Sequence, residues 1–247
     1  MKTLGMIGGV GPESTIDYYK NIIAMYRERK PDGSYPQFVV NSIDLKVGLD
    51  FMYAGKLDAM AAFLIHEIEK LPRAGADFGI IAANTPHIVF DDIAPRSPIP
   101  LLSIVDATCA AAKACGLKKL ALFGTKFTMQ ADFYPKVFAR ESIELVVPEP
   151  KDQDYIHEKY FAELVPGKFL PETRTGLLAI IDRMKAKIEP PSQNATPARS
   201  SGEPGIDGVI LAGTELPLIL RGESHNGVAL LDTGKIHCQA AVDAMFS

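Results

Sequence analysis

Cysteine is scarce in this chain: Cys109, Cys115 and Cys238 are the full set. No two of them form a CxxC pair or another metal-ligand spacing, so a zinc site and a disulfide framework are both excluded. Cys109 and Cys115 fall in an alanine-rich helical stretch and read as small buried residues. Basic residues are not in excess either. The formal charge of −4 leaves no electrostatic footprint for nucleic acid. No apolar run reaches membrane-spanning length. The first apolar run is broken by Gly8, Gly9 and Pro12-Glu13, too early for a signal peptide, and reads instead as a first strand. A cytoplasmic protein without membrane or nucleic-acid partners is the expectation. The chain also lacks a Walker sequence, a GxSxG elbow and an HExxH pair. Gly9-Val-Gly11-Pro lacks the third glycine of a dinucleotide fingerprint.

What is present is a duplication. Asp77-Phe-Gly-Ile-Ile-Ala-Ala83-Asn84-Thr85 matches Asp207-Gly-Val-Ile-Leu-Ala-Gly213-Thr214-Glu215. Each copy is an apolar strand ending in small and polar residues. Leu4-Gly-Met-Ile-Gly8-Gly9, followed by Asp17-Tyr18-Tyr19, similarly matches Leu120-Ala-Leu-Phe-Gly124-Thr125, followed by Asp132-Phe133-Tyr134. Strands alternate with helical segments, as in parallel α/β sheets. Such sheets bind ligands beyond the carboxyl ends of their strands. Two related ends predict one site between two halves.

The reading places strands at 3–7, 38–43, 78–82, 101–105, 120–123, 144–147, 209–211 and 228–231. Helices are expected at 12–30, 57–71, 106–115, 129–140, 155–164, 173–187 and 233–245. The first helix is expected to bury Ile16, Tyr19, Ile22, Ile23 and Tyr26. Residues 188–205, polar and proline-rich, read as a flexible loop. The last strand and helix are expected to return to the first half. That gives one α/β domain of 1–105 plus 216–247 and a second of 106–215.

Ile7-Gly-Gly-Val-Gly-Pro-Glu-Ser-Thr-Ile-Asp-Tyr-Tyr, Asn84-Thr85-Pro86-His87, Gly213-Thr214-Glu215-Leu216-Pro217, and Leu231-Asp-Thr233 with Ile236-His237 together resemble the aspartate/glutamate racemase family, most closely its aspartate racemase-like branch. The resemblance implies two pseudo-symmetric parallel-sheet α/β domains with the active site between them. It also implies chemistry without pyridoxal phosphate or any other cofactor, no metal, and homodimers. In that family two cysteines flank the substrate α-carbon, within Cys-Asn-Thr and Gly-Cys-Thr-Glu. The matching positions here are Ala83 and Gly213, so the two-thiol route is closed.

A replacement acid or base must stand within hydrogen-bond reach of the α-proton. The candidates are Glu215 and His87, each with a competing structural role: Glu215 as a helix-start carboxylate, His87 as an orienting or buried histidine. Gly11 and Ser14 at the first helix start, Asn84, Thr85, Thr214, and Thr125 with Thr128 in the second loop are expected to bind a carboxylate. The resemblance further implies Lys168 as the partner of a distal carboxylate and His237 as a support of the site. Three readings follow. One is a racemase-type isomerase acting on a small acidic amino acid or related carboxylate by a thiol-free route. The second is a cofactor-independent lyase or decarboxylase on the same fold. The third is a carboxylate-binding relative without catalysis.

Overall fold

The computed structural model describes residues 1–186 and 205–247. The loop expected at 188–205 lies outside them except for its last residue. Two sheets form. The first contains β1 (Leu4–Gly8), β2 (Phe38–Ser42), β3 (Phe78–Ile81) and β4 (Leu101–Leu102), in the order β2-β1-β3-β4. The second contains β5 (Lys119–Gly124), β6 (Glu144–Val146), β7 (Gly208–Ala212), β8 (Ser224–His225) and β9 (Val228–Asp232), in the order β6-β5-β7-β9-β8. All pairs are parallel except the short β8–β9 pair. The central strands β1, β3 and β7 are buried at every residue. That is why they read as unbroken apolar runs rather than alternating ones.

The duplication is structural. In each half the first strand pairs with the second on one side and the third on the other, with Leu4 opposite Phe78 and Leu120 opposite Gly208. The repeated aspartates do the same work twice. Asp77 accepts from Thr3 N at 2.7 Å, and Asp207 accepts from Lys118 N and Lys119 N at 2.8 and 2.9 Å. Each carboxylate thus satisfies backbone donors at the entrance of the neighbouring strand.

Three expectations are corrected. The last strand does not return to the first half: β9 pairs with β7, whose edge is open, whereas β4 already occupies the equivalent edge of β3. Only the Thr233–Met245 helix reaches back. Its Cys238, Ala241, Val242 and Met245 pack with Tyr18, Ile22 and Tyr26 of the Pro12–Arg29 helix. Second, that first helix buries the Ser14, Tyr18, Ile22 and Tyr26 row, leaving Ile16 and Tyr19 about half exposed, at 49% and 51%. Third, the fourth strand is only Leu101–Leu102. Ser103 accepts from Asp106 N at 3.1 Å and starts the Ile104–Ala114 helix sooner. The Leu45–Tyr53 helix, capped by Asp44, was not expected at all. Among the described residues no helix is long and apolar enough to cross a membrane.

Candidate active site

The carboxyl ends of β1, β3, β5 and β7 converge where the halves meet. The loops after β3 and β5 are tied by three hydroxyls. Thr85 Oγ1 lies 3.1 Å from both Thr125 Oγ1 and Thr128 Oγ1, and those two are 3.2 Å apart. Thr125 also caps the Lys126–Met129 helix. Asn84 is fixed between halves. Its Nδ2 donates to Thr233 Oγ1 at 3.1 Å and its Oδ1 accepts from Tyr134 Oη at 2.5 Å. Thr233 in turn donates to Leu211 O at 2.9 Å. These bonds hold the polar end of a cavity lined by Ala83, Asn84, Thr85, Thr125, Tyr160 and Gly213.

Tyr160 is the residue the sequence reading missed. It opens a wide π-type turn, Tyr160–Leu164, directly after the Pro150–Lys159 helix. Its ring lies against Gly213: a Cβ at position 213 would stand 2.5 Å from Tyr160 Cε2 and 3.2 Å from its hydroxyl. Its hydroxyl donates to Glu215 Oε2 in a short hydrogen bond. The signal for it was indirect, namely a side chain missing at 213 that something else had to replace.

Glu215 is fully buried behind Tyr160 and does not line the cavity. Gly11, at φ 116°, makes room for it, since a Cβ there would collide with Glu215 Oε1. Thr214 Oγ1 donates to Oε2 at 3.2 Å. Oε1 receives no hydrogen bond among the described residues. Ser14 stands beside the carboxyl, but its own proton goes to Gly11 O at 2.9 Å. Burial raises the Glu215 pKa, and the Tyr160 and Ser14 hydroxyls oppose that shift only in part. An orphaned buried acceptor costs about 1–3 kcal/mol. Burial thus favours the proton-bound form of this carboxyl more than water would. Burial likewise drives the Tyr160 pKa upward, with the Glu215 charge adding to it.

The other expected residues divide clearly. Asn84, Thr85 and Thr125 line the cavity, and Thr128 completes the hydroxyl triangle. Gly11, Ser14 and Thr214 surround Glu215 rather than the cavity. His87 is not placed as a base. Its Nδ1 lies 2.9 Å from Ala83 O and its Nε2 accepts from Ile104 N at 3.2 Å, so both nitrogens hold backbone. Burial lowers its pKa to about 3. His237 is also structural, with Nε2 3.1 Å from Leu102 O and Nδ1 3.1 Å from Tyr18 Oη, and burial lowers its pKa to about 4. Lys168 is exposed and absent from the cavity wall. Cys109, Cys115 and Cys238 lie away from that wall too.

The sequence profile of the Asp/Glu/Hydantoin racemase family matches residues 7–189. A Yersinia pestis protein assigned as an Asp/Glu racemase superposes over the full length of both chains, with TM-score 0.84 and 29% identity. An aspartate racemase homologue from Pyrococcus horikoshii also matches over the full length of both chains, with TM-score 0.76 and 32% identity. The broad specificity amino-acid racemase RacX of Bacillus subtilis is 27% identical over 149 residues, 58% of this chain and 63% of that relative. That alignment therefore spans less than two thirds of RacX. With the profile covering most of its length and the two-sheet architecture shared throughout, the chain belongs to the Asp/Glu/Hydantoin racemase family.

Proposed function

We propose that this chain is a racemase-type isomerase that moves a proton at the carbon beside a carboxylate through Tyr160 and Glu215, without thiols, metal or cofactor. The observation that carries the reading is the Tyr160–Glu215 pair: a phenol on the cavity wall, bonded to a buried carboxyl that the cavity does not reach. Ala83 and Gly213, which the resemblance matches to the family's cysteines, offer nothing that titrates.

The substrate carboxylate sits at the polar end, where the Thr85 and Thr125 hydroxyls donate to it. With Glu215 ionised, Tyr160 takes the α-proton while passing its own proton to Glu215. With Glu215 protonated, the same relay runs backwards: a planar carbanion that has turned its other face to Tyr160 is reprotonated with inversion, and one that has not is reprotonated with retention. Burial moves the carboxyl's pKa upward, the direction that helps it both take and return a proton. The reading carries with it a cytoplasmic homodimer acting on a small amino acid or related carboxylate.

One observation favours a second reaction. Ala83 supplies no acid or base, so of the two positions the resemblance matches to the family's cysteines only the Gly213 side, through Tyr160, has a proton donor beside it. Loss of carbon dioxide requires only that side: the C–C bond breaks, the electron pair stays on the α-carbon, and Tyr160 delivers the proton. The test is α-proton exchange in D₂O, followed by NMR, with amino acids of both hands. Exchange that disappears in Tyr160→Phe is the expected result. Carbon dioxide release without exchange selects the lyase, and binding with neither sinks both reactions.

A further inference from the structure

The walls of the cavity define the substrate's side chain. Leu45, Gly48, Leu49 and Met52 of the Leu45–Tyr53 helix fall at i, i+3, i+4 and i+7, and all four face the cavity. Met60 and Phe63 from the neighbouring Leu57–Ile68 helix and Phe161 from the π-type turn add to this apolar lining. Leu45, Leu49 and Phe63 are only partly buried, so the cavity presents apolar surface that a ligand would cover. Apart from Asp44, the polar side chains of the wall are those of Asn84, Thr85, Thr125 and Tyr160.

Charge points the same way. Among the described residues no lysine or arginine lines the cavity, and its one charged wall residue is Asp44. A second carboxylate on the substrate side chain would leave water for an apolar wall and meet no cation. An unpaired buried charge is strongly unfavourable, and Asp44 adds repulsion. An apolar substituent gains in proportion to the apolar area it buries.

We infer that this cavity takes carboxylates carrying an apolar substituent, aliphatic or aryl, in place of aspartate or glutamate. The inference rests on the reading above only in taking this cavity as the substrate site. It turns the expected acidic side chain into an apolar one. Lys168, the expected partner of a distal carboxylate, faces solvent instead.

Calorimetric titration of the full chain with leucine, phenylalanine and phenylacetate, against aspartate, glutamate and succinate, tests it. The apolar set is expected to bind about tenfold or more tightly than the dicarboxylates. Leu49→Arg places a cation on the wall and is expected to reverse that order. Equal or tighter binding of the dicarboxylates by the unaltered chain overturns the inference, as does failure of every apolar carboxylate to bind. The α-proton readout separates the two proposals. Apolar binding without exchange keeps the substrate class and removes the catalytic reading. Exchange confined to aspartate or glutamate keeps the catalytic reading and removes the substrate class.

Discussion

The ring of Tyr160 stands in the space that a side chain at position 213 would need. The ring therefore keeps its place only while position 213 carries no side chain. A thiol restored at 213 would not enter an empty slot. It would displace the phenol and break its bond to Glu215.

Gly213→Ala should cost about 1–3 kcal/mol, the usual penalty of overpacking. In a Tyr160→Ala background the same change should cost less than about 0.5 kcal/mol, because the obstruction is gone. Urea unfolding of the parent, the two single variants and the double variant measures the coupling. Additive effects would mean that the ring and position 213 do not compete.

The repeat was legible because it is written in local sequence: apolar strands, the aspartate before each third strand, and small residues after it. The polar end of the site was legible for the same reason, through Asn84, Thr85 and Thr125. Tyr160 was not, because its partner Gly213 is far away in the chain and a tyrosine in a helical stretch looks like ordinary core. The first helix misled for a related reason. Its apolar residues run around much of the helix, and the buried row includes Ser14, which hydropathy alone would place outside. The final strand could not be placed by pattern, since β9 would suit the edge of either sheet. In the fold β4 fills the β3 edge that corresponds to the β7 edge taken by β9.

Acid should destabilise the fold before its carboxylates protonate. His87 and His237 have folded pKa values of about 3 and about 4, against 6.5 when unperturbed. Below pH 6.5 the unfolded chain binds protons that the folded chain refuses. Their stability contribution is therefore complete above 6.5 and lost as pH falls towards 4 and then 3. Each histidine adds a slope of up to about 1.4 kcal/mol per pH unit. Denaturant midpoints between pH 7 and pH 4.5 should fall accordingly. His237→Gln, which keeps a donor for Leu102 O, should flatten that fall.

Glu215 acts in the opposite sense. Its folded pKa lies above the ordinary 4.5, so its stability contribution is complete below 4.5 and is lost as pH rises through the folded value. Between 4.5 and the folded value it offsets part of the histidine slope. Glu215→Gln removes that offset, so stability should climb more steeply with pH than in the parent. If the carboxyl is neutral in the folded state, this substitution should change stability at pH 5 by less than about 1 kcal/mol. Glu215→Ala, which leaves the Tyr160 and Thr214 hydroxyls without an acceptor, should cost more than about 2 kcal/mol.

Tyr160→Phe isolates the hydroxyl. The ring still fills the space over Gly213, Thr214 still donates to Glu215, and the cavity keeps its shape. Removing one acid–base group typically costs 10²- to 10⁴-fold in rate. Proton exchange, or carbon dioxide release if that is the reaction, should fall by about that factor. Carboxylate affinity should change less than about tenfold, since Thr85 and Thr125 still hold the polar end. Glu215→Gln should also slow the reaction, because an amide cannot take the proton that Tyr160 passes on. Its activity should lose the pH dependence set by Glu215, which a merely structural carboxyl would not govern. An equal loss of rate and affinity in Tyr160→Phe would make the phenol a binding group and leave the relay without its middle member.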